Sequence, residues 1–169
     1  MYKRQAVDLD PQYAGAIASR GETYRLMGEY DKALADFDRA IDLDPQYAGA
    51  IALRGETYRL MGEYDKALAD FDRAIELEPS LNWAIALRGE TYRQMGEHAR
   101  ALADFDRAID LDPQYAWAIA SRGQTYGQMG APRTAQAALR RGIGPRPPQT
   151  RGHGTPSQNG GGHGAQAHD

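Results

Sequence analysis

The chain repeats itself with a period of 34 residues. Three kinds of residue mark the period most clearly, and four copies of each recur at this interval. They are Pro11, Pro45, Pro79 and Pro113, then Gly21, Gly55, Gly89 and Gly123, then Tyr24, Tyr58, Tyr92 and Tyr126. Such an array buries apolar surface between neighbouring units, which restricts the chain to a repeat architecture. An active site needs different residues converging on one point, so near-identical units argue against catalysis.

Each unit predicts two helices. Ile17 belongs to a set of residues at helical spacing in the first half of the unit, and Phe37 lies in an apolar stripe in the second half. Gly28 suits the left-handed residue that ends a helix. Asp44 and Pro45 predict the end of the second helix and the start of the next one, with Asp44 as N-cap and Pro45 as first helical residue.

These positions carry a resemblance to the tetratricopeptide repeat, a helix-turn-helix unit of the same length. The matching residues of the first unit are Ile17, Gly21, Tyr24, Ala33, Phe37, Ala40 and Pro45, and two further units repeat them. The resemblance covers residues 2 to about 130. It implies an all-α, right-handed superhelical solenoid of antiparallel helix pairs.

One position departs from the family pattern in every unit. The family has leucine there, whereas this chain has Arg20, Arg54, Arg88 and Arg122. We expect each arginine to lay its stem along the core and to bring its guanidinium to water or to a carboxylate.

The register of the period also predicts how the chain is divided. The expected segments are 1–13, the remnant of a preceding second helix; 14–47, 48–81 and 82–115, three full units; 116–143, a partial and degenerate fourth unit; and 144–169, a tail rich in Gly, Pro, Arg and His. The tail offers almost no side chains that could form a core, so we expect it to be disordered.

The composition changes abruptly at Ala131, in the middle of the fourth unit. Codons for residues 139–147, read one base further on, can encode Phe-Asp-x-Ala-(Leu or Ser)-Asp-Leu-Asp-Pro. This nearly repeats residues 105–113, one period earlier. Our hypothesis is that the tail is an out-of-frame translation of the array, whose parent protein has more repeats at both ends. Early stop codons in the shifted frame of the gene would refute it.

Charge and composition exclude several classes of function. Residues 1–130 hold 15 basic and 22 acidic residues, a balance of −7, and residues 131–169 hold five Arg and one Asp, a balance of +4. An acidic body disfavours nucleic acid. No apolar run is long enough for a bilayer and none is typical of a signal peptide, so we expect a cytoplasmic protein with no membrane partner.

The sequence offers few candidates for catalytic, metal-binding or cofactor-binding residues. There is no cysteine and no phosphate-binding loop, and His153, His163 and His168 lie where nothing preorganises them. We therefore expect no metal site, no cofactor and no catalytic residue.

The resemblance implies that the first helices of the units line a concave groove. The candidate groove residues are Trp83, Trp117, Glu22, Arg25, Glu56, Arg59, Glu90, Arg93, Leu26 and Leu60. Two alternatives remain open. The Glu and Arg side chains can simply pair three residues apart on a solvated face. The tryptophans can fill repeat interfaces instead of contacting a partner.

The function that follows is a non-catalytic scaffold for protein–protein interaction, binding a protein segment in the groove. An alternative is a sensing or autoinhibitory array within a longer enzyme or signalling regulator. A third is self-association through exposed end helices. Repeats that clamp the carboxylate of heat-shock chaperones carry Lys and Asn at the fifth and ninth positions, where this chain has Ala and either Glu or Gln. That clamp is absent.

Overall fold

The computed structural model describes residues 13–131 together with residues 133, 136, 137 and 140. Residues 13–131 form seven α-helices and no strand. The helices are α1 (Ala14–Leu26), α2 (Tyr30–Leu43), α3 (Ala48–Leu60), α4 (Tyr64–Leu77), α5 (Asn82–Gln94), α6 (His98–Leu111) and α7 (Ala116–Gln128). The predicted all-α fold is confirmed. The segment predicted as a helix remnant, apart from Tyr13, and the tail at 144–169 lie outside the described residues.

A left-handed glycine joins the two helices of each unit. Gly28 has φ of 77°. Its amide donates to the carbonyl of Arg25 at 3.0 Å, and the amide of Glu29 donates to the carbonyl of Tyr24 at 2.9 Å. These two bonds satisfy carbonyls at the end of α1 in the Schellman arrangement, which favours glycine at the left-handed position. The prediction for Gly28 is confirmed, and Gly62, Gly96 and Gly130 repeat it.

The connection between units differs from the prediction. Asp44 is not an N-cap and Pro45 is not the first helical residue, because α3 begins at Ala48. Instead, the amide of Tyr47 donates to the Asp44 carbonyl at 3.1 Å, which closes a β-turn. The Asp44 carboxylate accepts the amide of Gln46 at 3.1 Å. Asp and Pro favour the first two positions of a turn as strongly as a helix start, so the sequence alone was ambiguous.

The two helices of a unit approach closely at a glycine. A Cβ placed on Gly55 would lie 3.1 Å from the Cβ of Asp70 and 3.2 Å from the carbonyl oxygen of Ala67. The fully buried ring of Phe71 lies on the same side, and Phe37 and Phe105 occupy the equivalent places in the neighbouring units. The glycine therefore sets the distance between α3 and α4.

Two of the recurring arginines, Arg54 and Arg88, each link three helices. Nε and Nη2 of Arg54 each donate to Asp70 of the same unit at 2.8 Å, and Nη1 donates to Asp38 of the preceding unit at 2.9 Å. The hydrogen bonds to Asp70 are the main cause of a raised pKa for Arg54. Arg88 repeats the arrangement with Asp104 and Asp72, Arg20 pairs with Asp36, and Arg122 pairs with Asp106. The expectation that these guanidiniums meet carboxylates is confirmed.

The units stack into a curved solenoid. The first helices, α1, α3, α5 and α7, contact their counterparts in the next unit, whereas the second helices lie farther apart from one another. The first helices therefore lie on the inner side of the curve. None of the helices within residues 13–131 has the length and apolarity needed to cross a membrane.

Candidate interaction surface on the inner helices

Four strips of side chains run along the first helices. Each strip consists of three residues of one helix, the second seven positions after the first and the third four positions after the second. These spacings are close to two turns and one turn of an α-helix, so the three side chains lie on one face. The inner strips are Gly15, Glu22 and Leu26; Gly49, Glu56 and Leu60; Trp83, Glu90 and Gln94; and Trp117, Gln124 and Gln128. Their charged members reach from one unit to the next, which indicates a continuous surface.

Glu56 connects the first two units. Its Oε1 lies 3.5 Å from Nη1 of Arg25 and 3.8 Å from Nη2 of Arg59. Nη1 of Arg59 donates to Oε1 of Gln94 in the third unit at 3.4 Å. Glu22 approaches Arg25 to 3.8 Å as an intrahelical pair, but only 12% of the Arg25 side chain is exposed. The guanidiniums are therefore embedded between units rather than solvated on separate helices.

The third unit has a different arrangement from the same local sequence. Nε and Nη2 of Arg93 donate to the two oxygens of Glu90, at 2.9 and 2.5 Å. The hydrogen bonds to Glu90 raise the pKa of Arg93. The next unit has Gln124 where the second has Glu56, and Arg93 contacts Glu90 of its own helix. In the described part of the chain, Nε of both Arg25 and Arg59 is buried and lacks an acceptor.

Exposed leucines end the first two inner strips. Leu26 is 72% exposed and Leu60 is 41% exposed, at the carboxyl ends of α1 and α3. The third and fourth strips carry Gln94 and Gln128 at this position, both exposed. The exposed leucines at this edge are therefore confined to the first two units.

The tryptophans lie at the opposite end of the other two strips. Trp117 is 40% exposed, and its ring centroid lies 6.4 Å from Phe105, edge to face, and 6.1 Å from Tyr115. Trp83 is half-buried and packs against the core. Each ring is therefore held on one side by its own protein and retains surface for contact.

Tyr115 is an inner-face residue that the sequence analysis missed. It precedes α7, yet the pKa of its hydroxyl is raised first by burial and then by the negative charges of Glu56 and Asp112. The charge of Glu56, in the second unit, therefore acts on Tyr115 from another unit. The only available signal was the recurrence of tyrosine at Tyr13 and Tyr47, one residue before the helix.

The inner face carries side chains suited to binding a polypeptide. In residues 13–131, no three side chains of metal-ligating type come together. The inner strips and the arginines beside them, Arg25, Arg59 and Arg93, combine guanidinium donors, carboxylates and partly exposed apolar side chains. Such a surface can hold a polypeptide by hydrogen bonds and apolar contacts.

Comparison with known proteins identifies the fold. Residues 14–47 and 49–81 match a family model described as tetratricopeptide repeat, and residues 89–130 match one described as TPR repeat. No curated protein matches the sequence.

Several solved structures are similar to the chain. A crystal structure of MamA is 24% identical, covers 83% of this chain and 82% of its own, and gives a TM-score of 0.74. MamA 41-end from Desulfovibrio magneticus RS-1 is 19% identical, with coverage of 84% and 80% and a TM-score of 0.74. The first TPR of Spaghetti (RPAP3), bound to the HSP90 peptide SRMEEVD, is 23% identical, with coverage of 72% and 96% and a TM-score of 0.67. At these identities the likeness establishes the fold alone.

Proposed function

The chain belongs to the tetratricopeptide repeat family, and from this premise we propose that it is a non-catalytic scaffold that binds a segment of a partner protein along the inner strips. A structural neighbour, the first TPR of Spaghetti (RPAP3), is bound to a peptide, which supports the view that this fold can carry one. This chain has alanine and glutamate or glutamine at the two clamp positions, including Ala52 and Glu56. The partner segment is therefore of a different kind from a chaperone C-terminus.

One observation carries the proposal: the inner face holds binding groups that the protein itself leaves incompletely used. Leu26 is 72% exposed at the carboxyl end of α1, and Trp117 is 40% exposed at the amino end of α7. Arginine and tryptophan are the residues most enriched among those that dominate binding energy at interfaces. An extended segment would supply apolar cover for Leu26 and Trp117.

A random peptide library displayed on phage, panned against the full chain, tests the proposal. Selected peptides should bind Trp117→Ala and Arg59→Gln about 5- to 150-fold more weakly than the unchanged protein, since truncating such residues costs about 1–3 kcal/mol. Leu111→Ala and Arg73→Gln are matched controls on the second helices, where both side chains are exposed. These two should bind within about twofold of the unchanged protein.

Thermal melting followed by circular dichroism confirms that each variant is folded. If the peptides lose affinity for the second-helix variants and keep it for the inner-face variants, the binding surface lies on the second helices and the proposal is contradicted. A library that yields no binder would also contradict the proposal.

A further inference from the structure

Tyr115 and Trp117 form an aromatic platform where the chain enters α7. Their ring centroids lie 6.1 Å apart with the ring planes tilted by 41°, and Phe105 supports Trp117 edge to face at 6.4 Å. Trp117 remains 40% exposed. Partly exposed aromatic rings are the surface on which proline-rich segments dock, because a polyproline II helix is already extended and rigid before it binds.

The surroundings of the aromatic platform are negative. Burial raises the pKa of the Tyr115 hydroxyl most, and the charges of Glu56 and Asp112 raise it further. A charge shifts a pKa appreciably only from nearby, so both carboxylates lie close to the platform. The inner strip of α7 adds no charge of its own, because it carries Gln124 and Gln128. A cation is therefore favoured here, both by the carboxylates and by the faces of the rings.

The tail of the chain carries a segment with the matching chemistry. Residues 145–148 read Pro-Arg-Pro-Pro, which places Pro145 and Pro148 one turn apart on the same side of a polyproline II helix. The guanidinium of Arg146 between them is a cation that stacks on aromatic faces and pairs with carboxylates. The chain from Ala131 onward has a balance of +4 and the part before it −7, so the two are complementary in charge.

The length of the connecting chain allows this contact. Gln128 lies 11 residues after Trp117 in α7, which separates them by about 16 Å at ~1.5 Å per residue. Fourteen residues lead from Ala131 to Pro145, and they span about 21 Å even at the rise of a helix. Tethering of this kind gives an effective concentration of about 1 mM. A contact whose dissociation constant between separate molecules is also about 1 mM is then about half populated.

We propose that residues 145–148 of the tail dock on the aromatic platform of their own chain. The prolines lie against Tyr115 and Trp117, and the guanidinium of Arg146 faces the two carboxylates beside the platform. The contact depends only on the residues that the tail carries, whatever reading frame produced them. Its regulatory consequence rests on the proposed function: a partner that needs Trp117 must first displace the tail.

Acrylamide quenching of tryptophan fluorescence in the full chain measures whether the tail covers Trp117. Every sample carries Trp83→Phe, so that Trp117 is the only tryptophan. A half-populated contact shields the ring half of the time, so replacing Pro147 and Pro148 together by alanine should raise the quenching constant about twofold. Pro156→Ala is the matched control, since this proline belongs to the same tail but lies outside the segment, and it should leave the quenching constant unchanged.

Salt and protein concentration identify the nature of the contact. Raising the salt concentration to about 0.5 M should increase the quenching constant of the chain with the unchanged tail, because salt screens the attraction between Arg146 and the carboxylates. In Arg146→Gln this salt effect should be lost. Dilution of the protein by about tenfold should leave the quenching constant unchanged, since tail and platform belong to one chain. Loss of shielding on dilution would assign the occupant to a second copy and overturn the inference.

The alanine replacements at Pro147 and Pro148 also separate this inference from the proposed function. An unchanged quenching constant in that variant would overturn the inference, whatever the peptide library yields. If shielding is lost, library peptides that need Trp117 should bind the variant about twofold more tightly, because the tail no longer occupies the platform half of the time. Equal binding would overturn the regulatory consequence. If shielding is lost but no library peptide binds, the proposed function fails while the docked tail stands.

Discussion

Replacing Gly55 by alanine tests whether this glycine sets the spacing between the helices of a unit. The added Cβ would lie 3.1 Å from the Cβ of Asp70, 3.2 Å from the carbonyl oxygen of Ala67 and 3.3 Å from Cδ1 of Phe71. Two of these neighbours are backbone or directly attached to it, and the Phe71 ring is fully buried. None can swing aside as the end of a flexible side chain would, so α3 and α4 must separate by a few tenths of an ångström.

Two opposing effects decide whether Gly55→Ala raises or lowers the free energy of unfolding. Alanine favours a helix interior over glycine by about 1 kcal/mol. Overpacking a well-packed interface costs about 1–3 kcal/mol, and widening the helix pair also strains the bidentate contact between Arg54 and Asp70. The free energy of unfolding of Gly55→Ala should therefore fall by about 1 kcal/mol, a decrease in melting temperature of about 4 °C for an array of this size.

Urea unfolding followed by circular dichroism at 222 nm measures the change. Gly127→Ala is the matched control, because Gly127 is helical and no atom lies within 4 Å of its added Cβ. There the gain in helix propensity acts alone and should raise stability by about 0.5–1 kcal/mol. If Gly55→Ala is as stable as Gly127→Ala, close approach is not the reason for the glycine and the argument is wrong.

Three further predictions concern the ion pairs, the ends of the array and the inner tyrosine. In urea unfolding, Asp70→Asn should lower the free energy of unfolding by about 2 kcal/mol, and Asp38→Asn should lower it by less than ~1 kcal/mol. Both aspartates pair with Arg54, but Asp70 is buried there and Asp38 is exposed. Hydrogen exchange should be slower in residues 64–77 than in residues 14–26, since a central helix has neighbours on both sides; the reverse order would contradict stacking as the source of stability. Burial raises the pKa of Tyr115, so above about pH 10 the unfolded chain ionises first and stability falls as pH rises. Tyr115→Phe should reduce the loss of unfolding free energy between pH 7 and pH 10.5. If the variant and the unchanged protein lose the same amount, ionisation of Tyr115 is not the cause.

The period and the helix pairs could be predicted from sequence because they depend on local patterns. Gly28 has the left-handed conformation that its position between two apolar runs indicates. Arg20 lies in an apolar stripe, so its guanidinium needs a carboxylate, and it contacts Asp36. The local sequence does not distinguish a helix that starts at Pro45 from one that starts at Ala48, because Asp and Pro are favoured both in a β-turn and at a helix N-terminus. The boundary was set by the β-turn that the following packing selects.

The arrangement of the candidate site depends on neighbours 34 residues away, and this limited its prediction. Arg25 and Arg93 follow identical residues, yet one reaches Glu56 in the next unit and the other closes on Glu90. The local sequence is the same in both units, so no pattern within one helix reveals which contact each arginine makes. The pKa of Tyr115 likewise depends on the charge of Glu56, a residue of another unit.

The three-way contact of Arg54 and of Arg88 has a consequence for how such genes change. Every junction between full units is joined by the same bond, with Arg54 on Asp38 and Arg88 on Asp72. If recombination between misaligned copies removed residues 48–81, Arg88 would meet Asp38 in place of Asp72 and keep the partner in its own unit. A duplication would likewise create a junction already provided with its arginine and aspartate. The number of units can therefore vary by whole periods without any new interface having to arise, while the inner face lengthens or shortens by one strip each time.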